Sequence, residues 1–184
     1  MYVYPVDNTN PVFYQGDIID KFPFFVVDSE SFNVLEVDEN RTSGKSFQIK
    51  KIKSLGGDRT GDCLIAIDAR KQKVIILSQT CDIQQRETII FAPVFEISQA
   101  IDSGRMTVGQ SASLRSRKID YWFYLPKQEP IFEESYIDFQ LINYIPKSLI
   151  LDNLNNRVLA LSDWGRHHLG WALANFLGRP IKSK

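Results

Sequence analysis

Val74-Ile75-Ile76-Leu77-Ser78-Gln79-Thr80-Cys81-Asp82 sets four apolar residues, three of them β-branched, directly before five small or polar ones. A run this short and this rich in branched side chains reads as a buried strand, and the polar stretch beyond it can no longer alternate into a core. Side chains become reachable at strand ends, so groups that grip a ligand or react are expected here. Upstream, Cys63-Leu64-Ile65-Ala66-Ile67 reads as the partner strand of a hairpin with a polar tip over 68–73. A turn centred on Gln72 puts Cys63 across from Cys81, and one centred a residue earlier puts it across from Gln79. Downstream, Thr88 to Phe95 is a further β-rich run in which Pro93 marks an edge or a bulge.

The same reading extends to both ends. Residues 1–15 suggest an extended arm on the surface, anchored by aromatics, and Gly16-Asp17-Ile18 is a turn entering a strand that runs into Phe22-Pro23-Phe24-Phe25. Ser31 to Val37 and Ser46 to Lys53 alternate as half-buried strands. After Glu96 a short helix with Ile97, Ala100 and Ile101 leads into a mobile basic loop ending at Lys118, and strand patterns return over 119–125, 135–145 and 157–161. Residues 148–154 fit helix or strand. The last element is a helix over about 162–177: Ser162 is its N-cap, Asp163 lies in its first turn, Gly178-Arg179-Pro180 stops it, and Leu169, Ala172, Leu173 and Phe176 form its buried face. Short strands, tight turns and one capped terminal helix predict a β-rich α+β fold, a strongly curved antiparallel sheet or small barrel with a C-terminal helix. One domain over 1–184 is expected, with a barrel core over about 14–95 and an inserted segment over about 96–156.

The chain is 43% hydrophobic, and its 22 Lys and Arg balance 22 Asp and Glu. Zero net charge supplies no global field for polyanions, so nucleic-acid contact requires a local patch. No run approaches the roughly 18 apolar residues that span a bilayer, and Met1-Tyr2-Val3-Tyr4-Pro5 lacks the features of a signal peptide, which predicts a cytoplasmic protein without a membrane partner. Two cysteines make no disulfide framework, and the adjacent His167 and His168 are poorly spaced for chelation, so neither a metal nor another cofactor is expected.

Three constellations carry chemistry. In Ser78-Gln79-Thr80-Cys81-Asp82, the polar residues either build a hydrogen-bonded turn around a small buried Cys81, contact a ligand, or supply a nucleophile with Asp82 orienting His167 or His168. The two histidines point about 100° apart on a helix, and their plainer role is to pack on the indole rings of Trp164 and Trp171. Basic residues form two groups: Arg41, Lys45, Lys50, Lys51 and Lys53, and then Arg105, Arg115, Arg117 and Lys118 leading into Tyr121-Trp122-Phe123-Tyr124. Cations beside aromatic rings suit single-stranded nucleic acid, although charge runs are commonly solvated faces and such aromatics commonly core.

Gly16-Asp17-Ile18, the strand ending in Leu77-Ser78, the strand containing Ala92-Pro93-Val94, and the terminal helix together resemble the PemK/MazF-like bacterial toxins. That resemblance implies an SH3-like barrel, a homodimer, and metal-independent endoribonuclease activity on single-stranded RNA. The family's Arg-Pro before the apolar strand is replaced by Gln72-Lys73, and its Thr or Ser after Pro-Val by Phe95-Glu96, so no catalytic residue carries over by motif. The Ser-Gln-Thr-Cys-Asp segment, Tyr124-Leu125-Pro126 and Leu161-Ser162-Asp163 with Arg166 also resemble parts of bacterial mobile-element proteins, which implies a place in toxin–antitoxin or phage-defence systems and an antitoxin or defence protein as partner. The expected catalytic groups are Cys81, Asp82, His167 and Arg166, and the expected substrate contacts are Ser78, Gln79, Thr80, Arg86 and Asp17. In an RNase of this kind a base deprotonates the ribose 2'-hydroxyl and a cation steadies the phosphate. The alternatives are a non-enzymatic binding module and a Cys-His hydrolase or transferase using Cys81.

Overall fold

The computed structural model describes residues 3–6, 12–26, 32–38, 46–52, 64–66 and 68–178. In chain order the elements are β1 (Val3–Pro5), β2 (Asp17–Val26), β3 (Phe32–Asp38), β4 (Ser46–Ile52), β5 (Leu64–Ala66), β6 (Asp68–Ile76), α1 (Thr80–Gln85), β7 (Thr88–Glu96), α2 (Ile97–Asp102), α3 (Val108–Arg115), β8 (Trp122–Leu125), β9 (Ser135–Asp138), β10 (Asn143–Pro146), α4 (Lys147–Leu151), β11 (Arg157–Leu161) and α5 (Asp163–Leu177). They fall into two compact units, Met1–Phe22 with Lys71–Lys184, and Pro23–Arg70. The smaller unit holds a three-stranded antiparallel sheet ordered β4-β3-β5.

The larger unit is built on an eight-stranded antiparallel sheet ordered β1-β11-β2-β6-β7-β9-β8, with β10 also paired to β7. The sheet is open, so of the two expected forms the closed barrel is not the one formed. Val74 to Leu77 lie at its centre, each at most 2% exposed, and burying side chains of this size stabilises the fold by about 1.5–3 kcal/mol apiece. One face carries Val3, Ile75, Leu77, Ala92, Val94, Ile137, Leu159 and Leu161, with Leu169, Ala172, Leu173 and Phe176 of α5 packed on it. On the other face Tyr136 packs with Ile97 and Ala100 of α2 and Leu114 of α3. The α5 boundaries, its Ser162 cap (accepting from Gly165 N–H at 3.2 Å) and its packed side match the sequence reading.

Several elements depart from expectation. The segment 62–79 is no hairpin: β5 pairs with β3, and residues 68–73, read as a polar tip, begin β6. Those polar residues are held extended from their side chains, Gln72 donating to the Val94 carbonyl and Lys73 pairing with Glu96 at 3.1 Å. Cys63 and its register lie outside the described residues. The expected N-terminal arm is strand β1, paired with β11 from Val3↔Leu161 to Pro5↔Leu159. Residues 108–115, read as loop, form α3 behind a capping box in which Thr107 Oγ1 accepts from Gln110 N–H and Gln110 Oε1 accepts from Thr107 N–H. The segment 96–156, expected as an insertion, supplies β8, β9 and β10 to the main sheet.

Pro93 is buried and pairs with Val74 inside the sheet. Ile90 turns its backbone groups towards Leu77 and Ser78, so alternation turns those of residue 93 to the opposite edge. That edge is interrupted there: β10 pairs with residues up to Phe91 and β9 takes over at Val94. A residue without an N–H costs nothing at the gap.

Candidate functional site

The turn Tyr14-Gln15-Gly16-Asp17 is where the end of β6, the start of α1, β11 and α5 meet. Asp17 N–H donates to the Tyr14 carbonyl at 3.1 Å, and Asp17 Oδ2 accepts from Tyr14 N–H at 3.0 Å. Gly16 has φ +86°, a left-handed conformation that suits glycine; a Cβ there would lie 3.0 Å from Leu161 Cβ and 3.2 Å from Arg166 Cγ. Gln15 joins the turn to the central strand end: its side-chain amide donates to the Leu77 carbonyl at 2.8 Å and its N–H to Thr80 Oγ1 at 3.3 Å. Gly16 N–H donates to the Ile76 carbonyl at 2.9 Å.

Asp17 is 1% exposed and faces two guanidinium groups. Arg157 Nη1 lies 3.2 Å from Oδ2 and also donates to the Val12 carbonyl at 2.6 Å, while Arg166 Nη2 lies 4.0 Å from Oδ1. Burial raises the Asp17 carboxyl above its ordinary range, opposed by the Tyr14 N–H and both arginines. Arg166 also donates to Tyr4 Oη at 3.1 Å, lies over the Tyr14 ring at 5.3 Å, and meets Asp163 at 3.4 Å. Its side chain is 21% exposed, whereas Asp163 is fully exposed. Arg166 is therefore a cation oriented from the protein side whose solvent-side partner is a solvent-screened surface carboxylate, a weak pairing. Nη2 is turned to Tyr4 and Asp17, so an arriving phosphate or carboxylate can replace Asp163 at Nη1.

The structure thus brings together Asp17, Thr80 and Arg166 of the expected site. Asp17 is buried behind Arg166, its Oδ1 4.0 Å from Nη2. Ser78 is buried, with Oγ accepting from Ile90 N–H at 2.8 Å, and it and Thr80 tie backbone. Gln79 and Cys81 are exposed at the start of α1, Cys81 Sγ lying 3.8 Å from Gln79 Oε1, which corrects the reading of Cys81 as a buried apolar residue. Asp82 pairs with Arg86 at 3.3 Å on the same short helix. His167 is exposed, and its ring neighbours His168, which stacks on Trp164 with centroids 3.9 Å apart. Among the described residues neither histidine is hydrogen-bonded to Cys81 or Asp82, and no group of three His, Cys, Asp or Glu is arranged to hold a metal ion. Nor is any helix there long and apolar enough to cross a membrane.

Sequence reasoning missed Tyr4, Tyr14 and Arg157. A lone arginine opening the apolar strand Arg157-Val158-Leu159-Ala160-Leu161 was the available signal, because a buried guanidinium requires a carboxylate.

The basic groups have mixed fates. Lys50 and Lys51 lie in β4, and Arg41, Lys45 and Lys53 fall outside the described residues. Arg115 forms a fork with Glu134 at 2.7 and 2.6 Å, and Tyr124 Oη donates to the same carboxylate at 2.6 Å. Arg115 holds Glu134 below the usual range, while burial and this bond push Tyr124 up to about 12. Arg105 lies over Phe95 at 4.4 Å beside a cavity of about 490 Å³ lined also by Lys71, Lys73 and Glu96.

No protein-family model matches the chain, and a search of curated proteins finds no match.

Proposed function

We propose that this chain binds single-stranded RNA at the end of β6, as a toxin-like or phage-defence protein of the bacterial cytoplasm, and that it does so as a binding module without cleaving. Arg166 is the observation that supports this reading. It is held by Asp17, Tyr4 and Tyr14, faces outwards past a fully exposed carboxylate, and borders the Tyr14–Asp17 turn, whose Gln15 contacts Thr80 beside the exposed Gln79 and Cys81. Such a head accepts a phosphate through charge-assisted hydrogen bonds, and the neighbouring α1 adds a second cation in Arg86. Cleavage would need a base within reach of the 2'-hydroxyl. Asp82 is engaged by Arg86, His168 packs on Trp164, and the exposed His167 makes no hydrogen bond to Asp82 or Cys81 among the described residues.

The test is fluorescence anisotropy with a labelled single-stranded RNA, with a denaturing gel of the same mixtures. Wild type is expected to bind and leave the RNA intact. Arg166→Gln is expected to weaken binding about tenfold, the size of one lost charge-assisted contact, with Arg86→Gln weakening it less. Equal binding by wild type and Arg166→Gln, with both proteins folded, refutes the reading, and cleavage products that vanish in His167→Ala or Asp82→Asn would make the chain a nuclease.

A further inference from the structure

At the β8 edge of the sheet, the C-terminal end of α3 and the segment leading into β8 face α5 across a cavity of about 160 Å³. Its lining includes Arg117, Asp120, Trp122, His168, Trp171 and Asn175. His168, Trp171 and Asn175 recur at i, i+3 and i+7, so they form one stripe of α5, and Trp164 extends it by a turn through its stack on His168.

Three of these groups are unengaged among the described residues. Trp171 is 67% exposed and stacks on no other ring, the Asn175 amide makes no hydrogen bond, and Arg117 makes no ion pair. An exposed indole costs hydration free energy, and all three converge on one hollow. The volume is well below the roughly 300 Å³ at which pockets for drug-sized ligands begin, and suits a single planar ring system. An apolar protein surface laid here would leave the amide and the guanidinium without polar partners. A heterocycle with a hydrogen-bonding edge and an attached phosphate satisfies all three.

We infer that this cavity binds one unstacked nucleobase, sandwiched against Trp171, read along its edge by Asn175, with Arg117 on the adjoining phosphate. The inference rests on the RNA reading above for its ligand, but it uses a different part of α5 from Arg166. Base stacking on an aromatic side chain is sequence-tolerant, and its loss on substitution to alanine weakens binding by about tenfold per base.

The experiment titrates wild type, Trp171→Ala, Trp171→Phe and Arg166→Gln with three probes: a single-stranded RNA octamer, an abasic ribose-phosphate oligomer of equal length, and AMP. Tryptophan fluorescence reports stacking and anisotropy reports affinity. Expected are quenching of wild type by the octamer, about tenfold weaker binding by Trp171→Ala, retention by Trp171→Phe, and no difference between wild type and Trp171→Ala for the abasic oligomer. If AMP alone quenches wild type and this is lost in Trp171→Ala, the cavity takes a free nucleotide: the pocket assignment stands and the RNA reading falls. If the octamer binds wild type and Trp171→Ala alike while Arg166→Gln is weakened, the pocket assignment is overturned and the RNA reading survives. A change of oligomeric state in Trp171→Ala, without any response to the three probes, makes this stripe a protein interface and overturns the inference.

Discussion

Asp17 links three separate stretches of sequence, and its removal should reveal that. Asp17→Ala removes a buried carboxylate lying 3.2 Å from the buried Arg157 guanidinium, which is expected to cost about 3–5 kcal/mol in urea unfolding; a loss under about 1 kcal/mol would show that this pair carries little weight. Gly16→Ala forces a side chain into a left-handed backbone and against Leu161, with an expected loss of about 1–3 kcal/mol in the same measurement. The importance of Gly16-Asp17 was legible as a turn into a strand, and that of Ser78 to Asp82 as a strand end. Their meeting was not, because the contact is made by Gln15, whose polar side chain carries no periodic signal. Arg166 was legible in the sequence as a charge, but its orientation by Tyr4 and Tyr14 depends on pairings more than 140 residues apart in sequence.

Elements with a strong local signal were read correctly: β7, β11 and α5 are all defined by short-range periodicity and by caps or stops. The 62–79 hairpin was misread because adjacency favours pairing neighbours, whereas β5 lies on β3 and β6 between β2 and β7. α3 was overlooked although Thr107-x-x-Gln110 is a capping signature. Thr107→Ala should cost about 1 kcal/mol of stability by chemical denaturation, and an unchanged midpoint would mean the box is dispensable. The Arg115, Glu134 and Tyr124 network ties α3 to the sheet. Arg115 lowers the Glu134 carboxyl in the folded state, so the unfolded chain binds its proton more readily. The resulting stability is present above the ordinary value of 4.5 and is lost as pH falls through the lower folded value. A series of unfolding curves between pH 7 and 3 should therefore show a shallower acid decline for Glu134→Gln than for wild type, and parallel declines would contradict the assignment.

At the scale of the molecule, an open antiparallel sheet with helices on both faces was anticipated in class but not in closure, since closure depends on what the edge strands meet. Zero net charge means that the proposed affinity for RNA would come from a few placed cations. With Arg166, Arg86 and Arg117 each neutralising one phosphate under that proposal, the slope of log K against log salt should be about −2.1 on a single strand, falling by about a third when any one of them is removed. A slope several times steeper would point to a diffuse basic surface instead. The direct test of where RNA lies is ultraviolet crosslinking of a single-stranded oligomer to the purified chain, with the adducts located by mass spectrometry. Adducts on Tyr14 or Cys81, on either side of the Gln15 and Thr80 contact, are the predicted result; adducts confined to other surfaces, or none at saturating RNA, would contradict a binding site at the end of β6.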